Sequence, residues 1–328
     1  MRLESAYNNR LAVPSYVDFL ARWQKASQAV ARERAPEIVP RPYLSAETFD
    51  PDEVSTPLAP GQWGSERCHL VHLPAPATGG PRPMLVYIHG GYWRAMSPDY
   101  FYFLAPVWNA QGVDVAVIGY DIDVGVGVDQ IAAQCRAGLR WLYRHAADLG
   151  VDPAHIVVSG HSAGGHLAAV AASEERSQGR AAGGASNSAG SKPLETSASI
   201  GIKAPLTPLS WLAGCVCLSG VFNLAPLVET SMQEGLKLTD AVIARASPIY
   251  RKPYPRMLED HRLALFFGQE EIAGFHEQHA ALIKAWNLEG RAVTQALAGI
   301  HHFSIVDTLV EPESQVFQTI KRLLAVDG

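Results

Sequence analysis

A serine in a glycine-rich turn is the residue in this chain best suited to covalent chemistry. Ser162 lies in the run Gly-His-Ser-Ala-Gly that starts at Gly160, after the apolar segment 156–158 and before an Ala-rich helical pattern. A sharp strand-to-helix turn leaves no room for side chains beside the serine, which explains Gly160 and Gly164. The helix N-terminus offers free N–H groups and partial positive charge to a developing anion. The pattern predicts a nucleophilic serine; the alternative is a simple helix-capping serine.

A second glycine-rich segment follows the apolar run 84–88 and reads His-Gly-Gly-Tyr-Trp from His89. We expect the N–H groups of Gly90 and Gly91 to converge with that of Ala163 on one oxyanion, since glycine lets the backbone approach a substrate. The alternative is an ordinary tight turn. His89 is expected to hold this loop by hydrogen bonds.

Aromatic residues next to these turns are candidates for the substrate pocket. Tyr92 and Trp93 could pack against an aromatic leaving group, although buried core aromatics are the competing interpretation. His161, beside the serine, is expected to line the same pocket.

The elements that must position these residues are short apolar runs that alternate with helical patterns. This alternation predicts the α/β class, with a mostly parallel central sheet and helices on both faces. Ligands then bind at the carboxyl ends of the strands, where the glycine-rich turns occur. We expect strands over 67–73, 84–88, 113–118, 156–158, 211–218, 263–267 and 292–297, and helices over 16–32, 100–110, 131–142 (closed by Gly150), 162–172, 275–287 and 313–324.

A serine nucleophile needs a histidine to take its proton and a carboxylate to orient that histidine. Both follow the serine in the chain order typical of such sheets. Glu270 and Glu271 come after the strand 263–267, and His301 and His302 come after the strand 292–297. Spacing alone leaves both pairs open. Other histidines are less suitable: His166 is one helical turn beyond the serine, and His276 and His279 fall in a predicted helix.

Composition limits the classes of protein that fit. The 328 residues are 48% hydrophobic with a net charge of −5, which argues against a nucleic-acid partner. We find no secretory signal and no apolar run near the roughly 20 residues of a membrane span. Four scattered cysteines and no clustered histidines argue against a disulfide framework and against a metal site. We therefore expect a cytoplasmic protein without metal or cofactor, acting on a small molecule.

One domain over 1–328 accommodates the whole pattern. Residues 1–44 form an N-terminal helical segment that, with 222–262, is expected to cover the active site. The Ser/Ala/Gly-rich stretch 173–208 interrupts the rhythm, and we interpret it as a flexible surface insertion. The sequence is compatible with a homodimer and does not establish one.

Together, these motifs resemble the kynurenine formamidase (arylformamidase) branch of the α/β-hydrolases, which is related to hormone-sensitive-lipase-like esterases. Besides the two glycine-rich turns, the resemblance rests on runs that cover nearly the whole chain apart from the insertion. These runs are Tyr-Asn-Asn-Arg from Tyr7, Leu-Ser-Gly-Val-Phe-Asn from Leu218, Ser247-Pro248, Phe-His-Glu-Gln from Phe275 and His-Phe-Ser from His302.

The resemblance implies Ser162 as nucleophile, His302 as base and Glu271 as acid. Members of this branch usually have Asp at the acid position, so the longer Glu requires a loop set further back. The implied reaction is acyl transfer to water through an acyl-enzyme, with N-formylkynurenine converted to kynurenine and formate in tryptophan catabolism. The alternatives are a general short-chain carboxylesterase, acyl transfer to another nucleophile, and a non-catalytic ligand-binding protein on the same scaffold.

Overall fold

A computed structural model describes residues 3–39, 43–56, 58–59, 61–77, 79–174 and 206–326. Its centre is one eight-stranded sheet. The strands are β1 (Glu37–Val39), β2 (Leu70–Leu73), β3 (Arg82–Ile88), β4 (Asp114–Ile118), β5 (Val151–His161), β6 (Gly214–Leu218), β7 (Leu263–Gly268) and β8 (Val293–Leu297). Their order is β1-β2-β4-β3-β5-β6-β7-β8.

The sheet is mostly parallel, as the sequence predicted. Only β2 runs against its neighbours, β1 and β4, and β3 to β8 pair in parallel. Alternate residues of β3 enter different cores: Val86 and Ile88 pack on one face, Leu85 and Tyr87 on the other. Both faces are therefore covered, which is why the inner strands are continuously apolar.

In the described residues, the helices include the six that the sequence predicted and four short ones that it did not. They are α1 (Glu4–Tyr7), α2 (Asn9–Ala12), α3 (Tyr16–Glu33), α4 (Ala105–Asn109), α5 (Val128–Arg144), α6 (Ala163–Ala171), α7 (Met232–Leu236), α8 (Asp240–Ala246), α9 (Ala273–Trp286) and α10 (Gln315–Leu323).

Three differences from the sequence-based expectation have local causes. The helix expected over 100–110 is α-helical only in α4, because 3₁₀ turns precede it. The helix expected to close at Gly150 already ends at Arg144, and Gly150, at φ +67°, lies in the turns that lead into β5. Strand β1 was not predicted. It has three residues, and its apolar pattern is too short to detect beside the prolines that follow it.

The carboxyl ends of the parallel strands meet at one edge of the sheet. Ile88 lies beside Gly160 in the register, and His161 lies beside Leu218. The segments that leave β3, β5, β6, β7 and β8 at this edge carry the candidate site residues. Tertiary pairing therefore collects residues that are far apart in the chain.

Most of the proposed insertion, residues 175–205, lies outside the described residues. Where the described chain ends, Ser173 forms an isolated antiparallel bridge with Pro253. None of the helices in the described ranges has the length and apolar character needed to cross a bilayer.

Candidate active site

Ser162 lies at the turn between β5 and α6, as the motif predicted. Its backbone is in the left-handed region (φ 57°), an uncommon conformation for a residue other than glycine. A Cβ on Gly164 would come within 1.9 Å of the carbonyl oxygen of Ile88, and one on Gly160 within 2.3 Å of that of Gly164. Both glycines are therefore required by close backbone contacts around the turn.

Three side chains form a hydrogen-bonded chain from this turn. The Oγ of Ser162 lies 3.0 Å from Nε2 of His302, and Nδ1 of His302 lies 3.0 Å from Oε2 of Glu271. An ionised carboxylate only accepts, so Nδ1 of His302 carries the hydrogen and Nε2 faces the serine as an acceptor. This arrangement allows the imidazole to take the serine proton.

Glu271 is held as a carboxylate by the ends of two strands. Burial by itself would raise its pKa, but the facing His302 and hydrogen bonds from the Ser219 hydroxyl and the Gly268 N–H lower it to about 2. Oε1 accepts both of these bonds, which leaves Oε2 for the imidazole. The longer Glu side chain is thus accommodated by a turn directly after β7, anchored on Gly268.

The structure separates the two acidic and the two histidine candidates that spacing left open. Nδ1 of His301 accepts hydrogen bonds from the N–H groups of Phe303 and Ser304, so His301 supports the turn. The Glu270 N–H donates to the carbonyl of Ile300, and its side chain is exposed. Glu271 and His302 are the pair brought together with Ser162.

The remaining candidate histidines lie away from the serine hydroxyl. His166 is buried, and Nδ1 accepts from the Trp93 indole while Nε2 contacts the carbonyl of Ala246. Burial lowers its pKa to about 3. His276 contacts the carbonyl of Glu271, and His279 packs against the rings of Phe222 and Phe267.

The loop after β3 is held from below by an aromatic stack. His89 stacks on Tyr120, with ring centroids 4.2 Å apart, and its Nδ1 lies 2.9 Å from the carbonyl of Gly90. The Tyr120 hydroxyl donates to the carbonyl of His89. This agrees with the expected loop-holding role of His89, whose pKa burial lowers to about 4.

The glycines of this loop are needed for reasons that the sequence did not show. A Cβ on Gly90 would lie 2.9 Å from the carbonyl oxygen of His161 and 3.3 Å from Cβ of Ser162. Gly91 has φ +107°, and a Cβ there would meet the carbonyl of Ala95 at 2.3 Å. The loop and the serine turn are thus in backbone contact. Ala163 is the first residue of α6, where an N–H has no acceptor within its helix.

A narrow cleft of about 20 Å³ opens beside the serine, room for about one water molecule. Most of its walls are apolar or aromatic. They comprise Arg10, Tyr16, Leu20, Trp23, Gly91, Tyr92, Met96, His161, Ser162, His302 and Phe303. Residues of the N-terminal segment 1–44 therefore lie over the site.

The three expected pocket residues have different positions. Tyr92 and His161 line the cleft. The Nε2 of His161 donates to the carbonyl of His302 at 2.7 Å, and burial lowers the pKa of His161 to about 3, so it stays neutral. For Trp93 the pocket assignment is wrong: the ring is fully buried in the core and its indole N–H donates to His166. The left-handed backbone of Trp93 (φ 56°) accompanies this buried position of its ring.

Sequence reasoning missed several residues of this site. Ser219 follows β6 at the same edge of the sheet, and its position directly after a predicted strand could have identified it as a site residue. The segment 1–44 was expected to cover the site, but the sequence carried no local signal for which of its residues reach the cleft. Arg10, Tyr16 and Trp23 line the cleft only through packing of that segment. Within the described part of the chain, no three His, Cys, Asp or Glu side chains cluster as metal ligands would.

Comparisons with known sequences point to acyl hydrolases. The profile of the BD-FAE family matches residues 71–207. A kynurenine formamidase of Salmo salar is 27% identical over 248 residues, which span 74% of this chain and 73% of that protein. The carboxylesterase NlhH of Mycobacterium tuberculosis is 36% identical over 105 residues, about 30% of either chain.

Solved structures show the same architecture. A protein from Silicibacter sp. TM1040 superposes with a TM-score of 0.68 at 22% identity, covering 98% of this chain and 99% of its own. A hyperthermophilic esterase from Pyrobaculum calidifontis gives a TM-score of 0.58 at 17% identity, with 94% and 93% covered. At these identities the likeness shows the fold alone.

Proposed function

We propose that this chain, which has the α/β-hydrolase fold and is similar in sequence to esterases and formamidases, is a serine hydrolase that removes small acyl groups from aryl amides or esters. The observation that carries this proposal is the hydrogen-bonded chain from Ser162 through His302 to Glu271. A hydroxyl aligned with a neutral imidazole that is itself oriented by a carboxylate is the arrangement nucleophilic acyl transfer requires.

The proposed reaction has two halves. In the first, the Ser162 hydroxyl oxygen attacks the substrate carbonyl carbon while its proton moves to Nε2 of His302. Glu271 stabilises the imidazolium without taking a proton. The amine or alcohol then departs with the proton from His302, leaving an acyl-enzyme. In the second half, His302 takes a proton from water while the water oxygen attacks the acyl carbonyl. The bond to Ser162 then breaks, His302 returns the proton to Oγ of Ser162, and the acid is released.

Backbone donors are proposed to stabilise the tetrahedral intermediates. The proposed donors are the N–H groups of Gly90, Gly91 and Ala163, and the close approach of Gly90 to Ser162 supports their convergence. Donors held rigidly by the backbone cost no reorganisation as charge develops on the carbonyl oxygen. Removing one such donor typically costs about 2.7–4 kcal/mol of barrier.

The size of the cleft supports a small acyl group. In the structure the space next to Ser162 is only about 20 Å³, whereas a neighbouring cavity of about 260 Å³ shares Arg10, Gly91 and Tyr92 with it. We propose that the acyl group occupies the former and the leaving group extends toward the latter. N-formylkynurenine, with the one-carbon formyl group, is the named candidate, and the relatives at 27% identity support it.

Two measurements test this proposal. A fluorophosphonate probe should label the wild-type protein and fail to label Ser162→Ala. Values of kcat/KM should then be compared for N-formylkynurenine and short-chain nitrophenyl esters. If kcat/KM is higher for the esters by orders of magnitude, the formamidase assignment is wrong. The protein would then be a general carboxylesterase, an alternative that the local similarity to NlhH favours. Absence of both labelling and turnover would instead support a non-catalytic binding protein.

A further inference from the structure

Arg10 is a cationic side chain at the mouth of the cleft that the proposed mechanism does not use. It lines both the cleft beside Ser162 and the neighbouring 260 Å³ cavity. Its side chain is exposed to solvent, so a substrate can reach it. The sequence placed it in the run Tyr-Asn-Asn-Arg without assigning it a role.

The guanidinium of Arg10 contacts two aromatic rings. The guanidinium carbon lies 5.3 Å from the ring centroid of Tyr16 and 5.7 Å from that of Tyr92. Such cation–π contacts hold the group in place without using an N–H donor. Among the described residues, no carboxylate forms an ion pair with this side chain. Its planar donors are therefore available for bidentate recognition of a carboxylate.

The surroundings of Arg10 favour an anion further. Neither cavity is lined by Asp or Glu, and the outer cavity holds a second cation, Arg94. Arg94 donates to the carbonyls of Trp93, Val126 and Gly235, so it contributes charge while its own donors are engaged.

An acidic side chain of the same N-terminal segment, Glu4, is already engaged by other partners. Glu4 lies outside both linings, and its carboxylate accepts hydrogen bonds from Asn8 and Ser231. These bonds, led by that from the Ser231 backbone, lower the pKa of Glu4. Glu4 is therefore satisfied by neighbours and does not neutralise Arg10.

We infer that Arg10 is a specificity-determining residue that binds a carboxylate on the leaving group of the substrate. The substrate class is then an acylated aryl amine or phenol whose leaving group carries a carboxylate. The scissile bond lies beside Ser162, and the carboxylate reaches Arg10 where the cleft meets the neighbouring cavity. This inference rests on the proposed hydrolase function. It adds that the enzyme selects for an anionic leaving group and that one residue of α2 makes the selection.

The test uses phenyl acetates that differ only in charge and reach. Acetate esters of 4-hydroxybenzoate, 4-hydroxyphenylacetate and 3-(4-hydroxyphenyl)propionate are each compared with the corresponding uncharged primary amide. We expect wild-type kcat/KM to favour at least one carboxylate over its amide by about tenfold, the effect of one hydrogen bond to a charged group. The preference should fall at high salt, because Arg10 is exposed.

Variants separate recognition from folding. In Arg10→Gln the ratio of kcat/KM for a carboxylate to kcat/KM for its amide should fall to about one, and Arg10→Lys should keep part of this preference. Arg22→Gln is the matched control, since Arg22 also contacts a ring, that of Phe19, and carries the same charge away from the cleft. It should keep the full preference.

Three outcomes would overturn the inference: no carboxylate preference in the wild type, an equal loss on charged and neutral esters in Arg10→Gln, or the same loss in Arg22→Gln. The second would mean that Arg10 only holds the N-terminal segment in place. In all three outcomes the wild-type protein still hydrolyses the neutral esters, whereas failure of the proposed function would abolish turnover of every ester.

Discussion

At the scale of single residues, neighbouring histidines have different tasks because their ring nitrogens meet different partners. His302 lies between a carboxylate and the serine hydroxyl, whereas His301 accepts two backbone N–H groups of its own turn. His161 donates to the carbonyl of His302 and thereby holds the backbone of the proposed base. An imidazole can transfer the serine proton when one ring nitrogen is hydrogen-bonded to a carboxylate and the other faces the hydroxyl, and His302 has this arrangement.

Replacing His302 with Ala should lower kcat by a factor on the order of 10³ or more, the magnitude typical of the loss of a catalytic base. His301→Ala should change kcat only mildly, because it removes two hydrogen bonds within a turn. Steady-state kinetics of both variants, with circular dichroism to confirm folding, measures the difference. A severe loss in His301→Ala with a mild one in His302→Ala would reassign the base.

At the scale of elements, the serine turn and the loop after β3 form one close-packed unit. Gly164 lies against the carbonyl of Ile88 and Gly90 lies against Ser162, so both turns keep their shape only with glycine at these contacts. The left-handed backbone of Ser162 persists because the surrounding strands and α6 determine it. Precise placement of the hydroxyl is thus a property of β3, β5 and α6 together.

Gly164→Ala should destabilise the protein by about 3 kcal/mol or more, at the upper end of the cost of overpacking, because the new methyl would meet the Ile88 carbonyl at 1.9 Å. Urea unfolding measures the change in free energy. Gly80→Ala is the matched control, since no atom lies within 4 Å of its added Cβ, and its stability should change little. Equal stability of the two variants would show that the turn has room to relax.

At the scale of the whole molecule, stability and the proposed chemistry use opposite ends of the sheet. Asp114, at the amino end of β4, is fully buried and contacts Arg82 at 2.6 Å and His72 at 2.8 Å. Burial alone would raise its pKa, but the bonds from His72 and Arg82 outweigh it, and the pKa lies below its ordinary value. The candidate site is at the carboxyl end of the strands, far from this network.

Asp114→Asn should therefore lower the free energy of unfolding by about 3 kcal/mol at pH 7, the cost of removing one partner from a buried pair. A lowered pKa stabilises the fold above the unfolded value, near 3.8, and this contribution is lost as the pH falls below it. The difference from wild type should thus shrink below about pH 3.8.

Urea unfolding from pH 3 to 7 measures this effect, and kcat per folded molecule should remain unchanged. Asp123→Asn is the control, because the Asp123–Arg67 pair is about half exposed on both sides and should contribute less than 1 kcal/mol. A pH-independent difference between Asp114→Asn and wild type would contradict the assignment of this stability to the carboxylate.

Local sequence patterns were sufficient to predict part of this fold. Runs such as 84–88 and 156–158, each followed by a glycine-rich turn, predicted the buried parallel strands and the position of Ser162 between strand and helix, both confirmed by the structure. Hydrophobic periodicity and turn chemistry act over a few neighbouring residues, and a single sequence displays them directly.

Which distant side chains contact each other depends on the three-dimensional packing of the chain. Spacing left Glu270 and Glu271, and His301 and His302, as open pairs, and a one-residue change at a strand end turns a side chain from the site to the surface. Trp93 was assigned to the pocket and lies in the core, while Arg10, Tyr16 and Trp23 reach the cleft from the far N-terminus. These outcomes depend on strand register and on packing between segments, which no local pattern encodes.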